Sequence, residues 1–210
     1  MSGAITERVA RLVADCDYDV CVMTGDYRAQ TSGPHDAAVS GIKRIREALR
    51  GPIYGVLGNH DNAAMVPALE ALGVRLLLNE CVAIECGEAR IQLAGVDDAH
   101  FFRMDNIEKA AAQIPESDFS ILLSHTPEIY RQVAHAGFDV MLSGHTHGGQ
   151  ICLPGGIPVT LDSVLPRQLG SGAWRHAGMT GYTSRGAGCS ILPVRFNCRP
   201  EITLHQLKSN

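Results

Sequence analysis

Apolar runs too short to be ordinary helices recur along the chain, and four of them break off in the same way. "DVCVMTGD", "IYGVLGNHD", "FSILLSH" and "FDVMLSGH" each carry an apolar stretch and then stop at carboxylate, amide or imidazole residues. Such runs, bounded by turn signals, read as strands buried on both faces. Between them lie segments with helical spacing. Ile5, Val9, Leu12 and Val13 place one at the start of the chain, with Thr6 as a capping hydroxyl, and others are read over 36–50, 62–72, 105–113 and 127–136. Strands that alternate with helices predict an α/β layered fold, with parallel strands at least in the first part of the chain.

The pattern has two departures. "CVAIEC" and "ARIQLAGV" read as paired strands around the turn "GE", and the last third turns rich in glycine and proline. There "ICLP", "GCSILPVRF" and "EITLHQL" are read as short β segments of a second, more antiparallel sheet, and residues 154–181 as a long irregular loop. With 210 residues, one domain over 1–210 is expected. A net charge of −4 argues against a nucleic-acid polymer as partner. Seven cysteines without CxxC spacing argue for free thiols and a reducing compartment. No signal-peptide core opens the chain and no run of about 18 apolar residues occurs, so the chain as given is expected to be cytoplasmic.

The strand ends carry the chemistry. Asp26 closes the first run, Asn59, His60 and Asp61 the second, His125 the third, and His145 and His147 the fourth. Ligands of α/β sheets bind at the carboxyl ends of strands, so these clusters are expected to converge. Carboxylate, amide oxygen and imidazole together suit Mn, Fe, Zn or Mg, and no thiolate is offered at the same strand ends. Any one of these histidines alone reads as a hydrogen-bonded structural residue; the set does not. Gly25, Gly58 and Gly144 beside them permit sharp turns of the backbone.

In this order, "GD", "GNHD", "H" and "GHTH" resemble the signature of the calcineurin-like metallophosphoesterases. The stretch "SGHTHGGQICLPGG" and the tail "SRGAGCSILPVRFNCRPEITL" resemble a bacterial, membrane-associated, phosphodiesterase-like branch of that family. The resemblance implies a two-sheet β-sandwich flanked by helices, a four-layer αββα fold, and hydrolysis of phosphate monoesters or diesters by a metal-activated hydroxide. It also implies two divalent metal ions. Asp26 would bridge them, Asn59, His125 and His145 would complete the second site, and His147 would bind the first. His60 would donate a proton or stabilise the transition state, oriented by Asp61.

Members of the family begin with a strand ending in Asp-x-His, and no such pair precedes Asp26 here. The resemblance therefore implies a complete second site and a first site reduced to Asp26 and His147. Two expectations follow. Either the chain is truncated at its N-terminus, the favoured one, with an inner-membrane association supplied by the missing part, or a short form binds one metal or none. The alternative function is a degenerate phosphoesterase fold that binds a phospho-ligand or partner without hydrolysing it. A serine hydrolase using Ser143 is disfavoured because "LSGH" lacks the G-x-S-x-G elbow.

The expected substrate is a small phosphate ester, lipid-linked or nucleotide-like. Arg185 is a candidate for its phosphate, against the plainer reading of a surface ion pair. In "GVDDAH", Asp97, Asp98 and His100 are candidates to face the cleft, Asp98 as a substrate-binding residue, against a solvated turn. Phe101, Phe102 and Trp174 are candidates for an apolar wall, against core positions.

Overall fold

The computed structural model describes residues 3–87 and 89–208, so Glu88 of the expected "GE" turn lies outside the described residues. Helix α1 (Gly3–Ala14) leads to β1 (Cys21–Met23), α2 (Asp36–Arg46), β2 (Ile53–Gly55), α3 (Val66–Ala71) and β3 (Val74–Leu76). Strands β1, β2 and β3 form a parallel sheet in that order. The chain continues with β4 (Glu80–Cys86), β5 (Ala89–Gly95), α4 (Ile107–Ala111), β6 (Phe119–Leu123), α5 (Tyr130–His135) and β7 (Val140–Ser143). A small hairpin, β8 (Cys152–Leu153) with β9 (Ile157–Pro158), precedes β10 (Gly172–His176) and β11 (Met179–Thr183). The second sheet has the order β10-β11-β7-β6-β5-β4, with parallel pairing through its four central strands and antiparallel pairing at both edges.

Side chains alternate across β6 and define the layers. Ile121 and Leu123 face a core between the two sheets with Val56, Leu77, Val82 and Leu93, while Leu122 faces a second core with Tyr130 and Val133 of α5 and Ala110 of α4. A third core packs Val9 and Val13 of α1 and Ile42 and Ile45 of α2 against Ile53, Val74 and Leu76 of the first sheet. The layers are therefore helix, sheet, sheet, helix. Burial on both faces is what makes β6 read as an apolar run.

The last third differs from the sequence expectation. Residues 154–181 are not one irregular loop: β10 lies within them and β11 begins there. Gly181 adjoins the Trp174 ring so closely that an added Cβ would overlap it, and Gly178 makes the turn between the strands at φ +90°. Glycine here makes room for a strand pair instead of breaking it. Conversely, "GCSILPVRF" and "EITLHQL" form no strand; a single parallel bridge joins Ile151 to Phe196. Thr6 lies inside α1 instead of capping it.

Strand β1 is an edge strand, bonded to β2 alone, and no strand precedes it among the described residues. No helix of the described residues is long and apolar enough to cross a membrane. Because Leu123 is fully buried between the sheets just before His125, Leu123→Ala is expected to lower unfolding free energy by about 2–5 kcal/mol in urea denaturation.

Candidate metal centre

Asp26 follows β1, Asn59 to Asp61 follow β2, His125 follows β6, and His145 and His147 follow β7, so both sheets deliver their polar residues to one end of the sandwich. Two glycines make the approach possible. A Cβ on Gly58 would overlap Asp26 Oδ1 and lie 2.8 Å from His125 Cε1, and Gly25 at φ +87° turns the chain into Asp26. Asp26, His145 and His147 themselves hold positive φ values of 58°, 66° and 50°. For non-glycine residues this is an uncommon conformation, one that clusters at functional sites.

Four atoms meet at the centre. His125 Nε2 lies 2.9 Å from Asn59 Oδ1 and 3.4 Å from Asp26 Oδ1. His145 Nδ1 lies 3.0 Å from Asn59 Oδ1 and 3.1 Å from His125 Nε2. The outer nitrogens fix the tautomers: His125 Nδ1 donates to the Thr24 carbonyl at 2.6 Å and His145 Nε2 to the Asp162 carbonyl at 2.7 Å. In the neutral rings the inner nitrogens then carry lone pairs, facing one another and two oxygen acceptors. Four lone-pair donors aimed at one point fit a divalent cation, and outer hydrogen bonds to carbonyls are the usual way of orienting histidine ligands. Asp26, His125 and His145 form such a potential metal-holding group, to which Asn59 adds its amide oxygen.

Burial pushes the pKa values of His145 and His147 down to about 4, so both rings are neutral at neutral pH, and the inner nitrogen of His145 is open to a cation. Burial opposes charge on Asp26, but His125 and the His60 backbone N–H hold its carboxyl well below the usual range. Burial likewise opposes a charged His125, and Asp26 more than offsets this, pushing that pKa up.

The remaining expected residues are placed as follows. His147 lies outside the tight group; Arg195 reaches its Nδ1 at 3.3 Å and its carbonyl at 3.1 Å. His60 is buried and its Nδ1 has no hydrogen-bond partner. The Asp61 carboxylate accepts from the backbone N–H groups of Gly58, Tyr27 and Arg28, at 2.9, 3.3 and 3.2 Å, and not from the His60 ring. Burial, with Asp26 nearby, pushes its carboxyl up to about 6.

Asp98 does not face the cleft: it is 1% exposed, and its oxygens accept from the backbone N–H groups of His100, Phe101 and Phe102. Arg185 packs against Gly148, with Nε donating to Ser171 Oγ at 2.8 Å. Trp174 belongs to the core, whereas Phe101 and Phe102 are exposed. Ser143 is buried and bonded to Thr183, away from any nucleophilic role.

His100 was a candidate from the sequence, while Glu128, Asp162 and Arg195 escaped it. His100 packs its ring 4.2 Å from that of His145, and its Nδ1 bonds Glu128 Oε2 at 2.8 Å. Asp162 joins His100 and His145 in a second cluster of potential ligands, one that draws on the same His145. The signal for His100 was its place after a strand. Glu128 and Asp162 had none, and Arg195 stood only within a tail that resembled the family.

The class that this fold and donor set define is the metal-dependent phosphoric ester hydrolases. Residues 3–149 match the calcineurin-like phosphoesterase model, and the chain belongs to that family. It is 29% identical over 211 residues to the uncharacterized metallophosphoesterase YkoQ of Bacillus subtilis, covering 96% of this chain and 77% of that protein. It is 28% identical to the phosphodiesterase YaeI of Escherichia coli, covering 90% of this chain and 70% of that one. Among solved structures, Thermus thermophilus sulfate thiohydrolase SoxB shares the fold with a TM-score of 0.56 at 15% identity, over 88% of this chain and 37% of its own.

The three backbone bonds of Asp61 hold the turns after β1 and β2 together. Asp61→Ala strips buried N–H groups of their acceptor, so a loss of about 2–5 kcal/mol of stability is expected in metal-free protein, read by urea denaturation.

Proposed function

We propose that the chain hydrolyses small phosphate esters, monoesters or diesters, at the centre formed by Asp26, Asn59, His125 and His145. The observation that carries this is the convergence of four lone-pair donors from both sheets on one point. A divalent cation there supplies Lewis acidity toward a phosphoryl oxygen and lowers the pKa of a water. His147, neutral and close enough to Asp26 to feel its charge, is the candidate ligand for a second ion. His60, with an unpartnered ring nitrogen, meets the charge that develops on the phosphoryl or leaving oxygen. Asp61 acts through the backbone, by holding the turns that carry Asp26 and His60.

Two features bear on the substrate. Exposed Phe101 and Phe102, next to His100, favour an ester with an apolar or aromatic portion, lipid-linked or nucleotide-like. On the side of Gly148, a cavity of about 200 Å³ lined by Arg167, Arg185 and Ser171 suits a remote anionic group, which would compete with Glu201, whose Oε2 lies 3.8 Å from Arg185 Nε.

Mn²⁺-loaded protein is expected to hydrolyse bis(p-nitrophenyl) phosphate and to lose that activity to a chelator. Asp26→Ala is expected to lose metal on elemental analysis, while His60→Ala keeps it and falls ~10²-fold or more in turnover. Metal bound without turnover in the parent protein would support a phospho-ligand-binding module instead, and equal metal loss in both variants would overturn the role given to His60. Arg185→Ala is expected to weaken inhibition by inorganic pyrophosphate by about tenfold or more, as for loss of a charge-assisted hydrogen bond. Unchanged inhibition removes Arg185 from the site.

A further inference from the structure

Glu128 lies outside the donor set, on the short 3-10 turn Pro127–Ile129 that follows His125, yet its carboxylate makes three side-chain contacts around His145. Its Oε1 accepts from Ser163 Oγ at 2.8 Å and from the Val164 backbone N–H at 2.7 Å. Its Oε2 meets His100 Nδ1 at 2.8 Å. The residue before Ser163 is Asp162, whose carbonyl accepts the hydrogen bond from His145 Nε2–H, and the His100 ring lies against the His145 ring. Both neighbours that fix His145, one at its edge and one on its face, are therefore fastened to the same carboxylate.

We propose that Glu128 is a positioning residue for the metal centre: it holds the 162–164 segment and His100 so that the His145 Nδ1 lone pair points at Asn59, His125 and Asp26. The 162–164 segment belongs to no strand or helix and Val164 is 94% exposed; Leu161 and Leu165 pack on either side of it, and Glu128 is what bonds the segment itself. A histidine ligand whose outer hydrogen bond is lost is free to rotate about its side-chain torsions, and loss of such outer partners typically weakens metal binding ~10–100-fold. The glutamate links parts of the chain that are remote in sequence: the turn after β6, the loop after β5 and the segment before β10. It does so without touching the metal position itself.

This inference rests on the metal-binding function proposed above, and the test separates the two. Mn²⁺ affinity is measured by calorimetry on the full chain, with thermal melting and the visible absorption of the Co²⁺-loaded protein as companions. Glu128→Ala is expected to bind Mn²⁺ ~10–100-fold more weakly and to shift the Co²⁺ bands. Glu128→Gln keeps the Oε1 acceptor for Ser163 and Val164, so it is expected to stay within a few-fold of the parent. Parent protein that binds no Mn²⁺ overturns the metal centre. Parent protein that binds, with Glu128→Ala binding equally well, overturns only the positioning role, as does Glu128→Gln proving as weak as Glu128→Ala. Should Glu128→Ala fail to fold, Ser163→Ala takes its place: removal of one of the two segment bonds is expected to weaken Mn²⁺ measurably, and unchanged affinity overturns the inference.

Discussion

The hydrogen bond from His125 Nδ1 to the Thr24 carbonyl ties the two halves of the site together. It joins the end of β6, in the six-stranded sheet, to the end of β1, in the three-stranded one, at 2.6 Å and with the histidine fully buried. Everything else at the centre inherits its geometry. It fixes which nitrogen of His125 faces inward, sets how close Asp26 comes, and seats Thr24 so near Gly144 that an added Cβ would lie 2.8 Å from the Thr24 hydroxyl. The apolar core between the sheets sets their separation, and this bond sets their alignment at the working end.

The backbone around the centre is accordingly unrelaxed. Asp26, His145 and His147 adopt left-handed conformations where glycine would be at ease, and they are held there by surrounding bonds. Asp61 clamps the turns after β1 and β2, Thr146 donates to the Gly170 carbonyl, and Glu128 fastens the segment beyond. Such conformations, of order 1–3 kcal/mol each, persist only where neighbours over-determine them. A site of this kind is rigid because several independent contacts agree, and this permits imidazoles and a low-pKa carboxylate to sit a few ångströms apart.

Much of this was legible in the sequence, for identifiable reasons. Strands buried on both faces left continuous apolar runs with ligand-type residues at their ends, so β2, β6 and β7 and a meeting of those end residues could be expected, while the division of Asp26, Asn59, His125, His145 and His147 between metals came only from the family resemblance. Legibility failed where side-chain type and role parted. The glycines of β10 and β11 looked like breakers, yet one makes a turn and another accommodates Trp174. "GCSILPVRF" looked like a strand, but Ile191 is 82% exposed and the segment is held by the Arg195 guanidinium. Two of the contacts that orient the histidines come from main-chain carbonyls, those of Thr24 and Asp162, which no residue type announces. Asp98 was a candidate to face the cleft and Asp61 was expected to orient His60; instead Asp98 accepts from its own turn, and Asp61 from the turns after β1 and β2.

Arg195 gives the tail a part in the centre. Its guanidinium bonds the carbonyls of Arg185, Gly188 and His147 and the ring of His147, while Cys198 bonds the same His147 carbonyl. The turn that carries His147 is thus finished by a residue 48 positions further along the chain. The setting of His147 therefore depends on a segment that lies outside both sheets, so a change in that segment reaches the site without touching any strand.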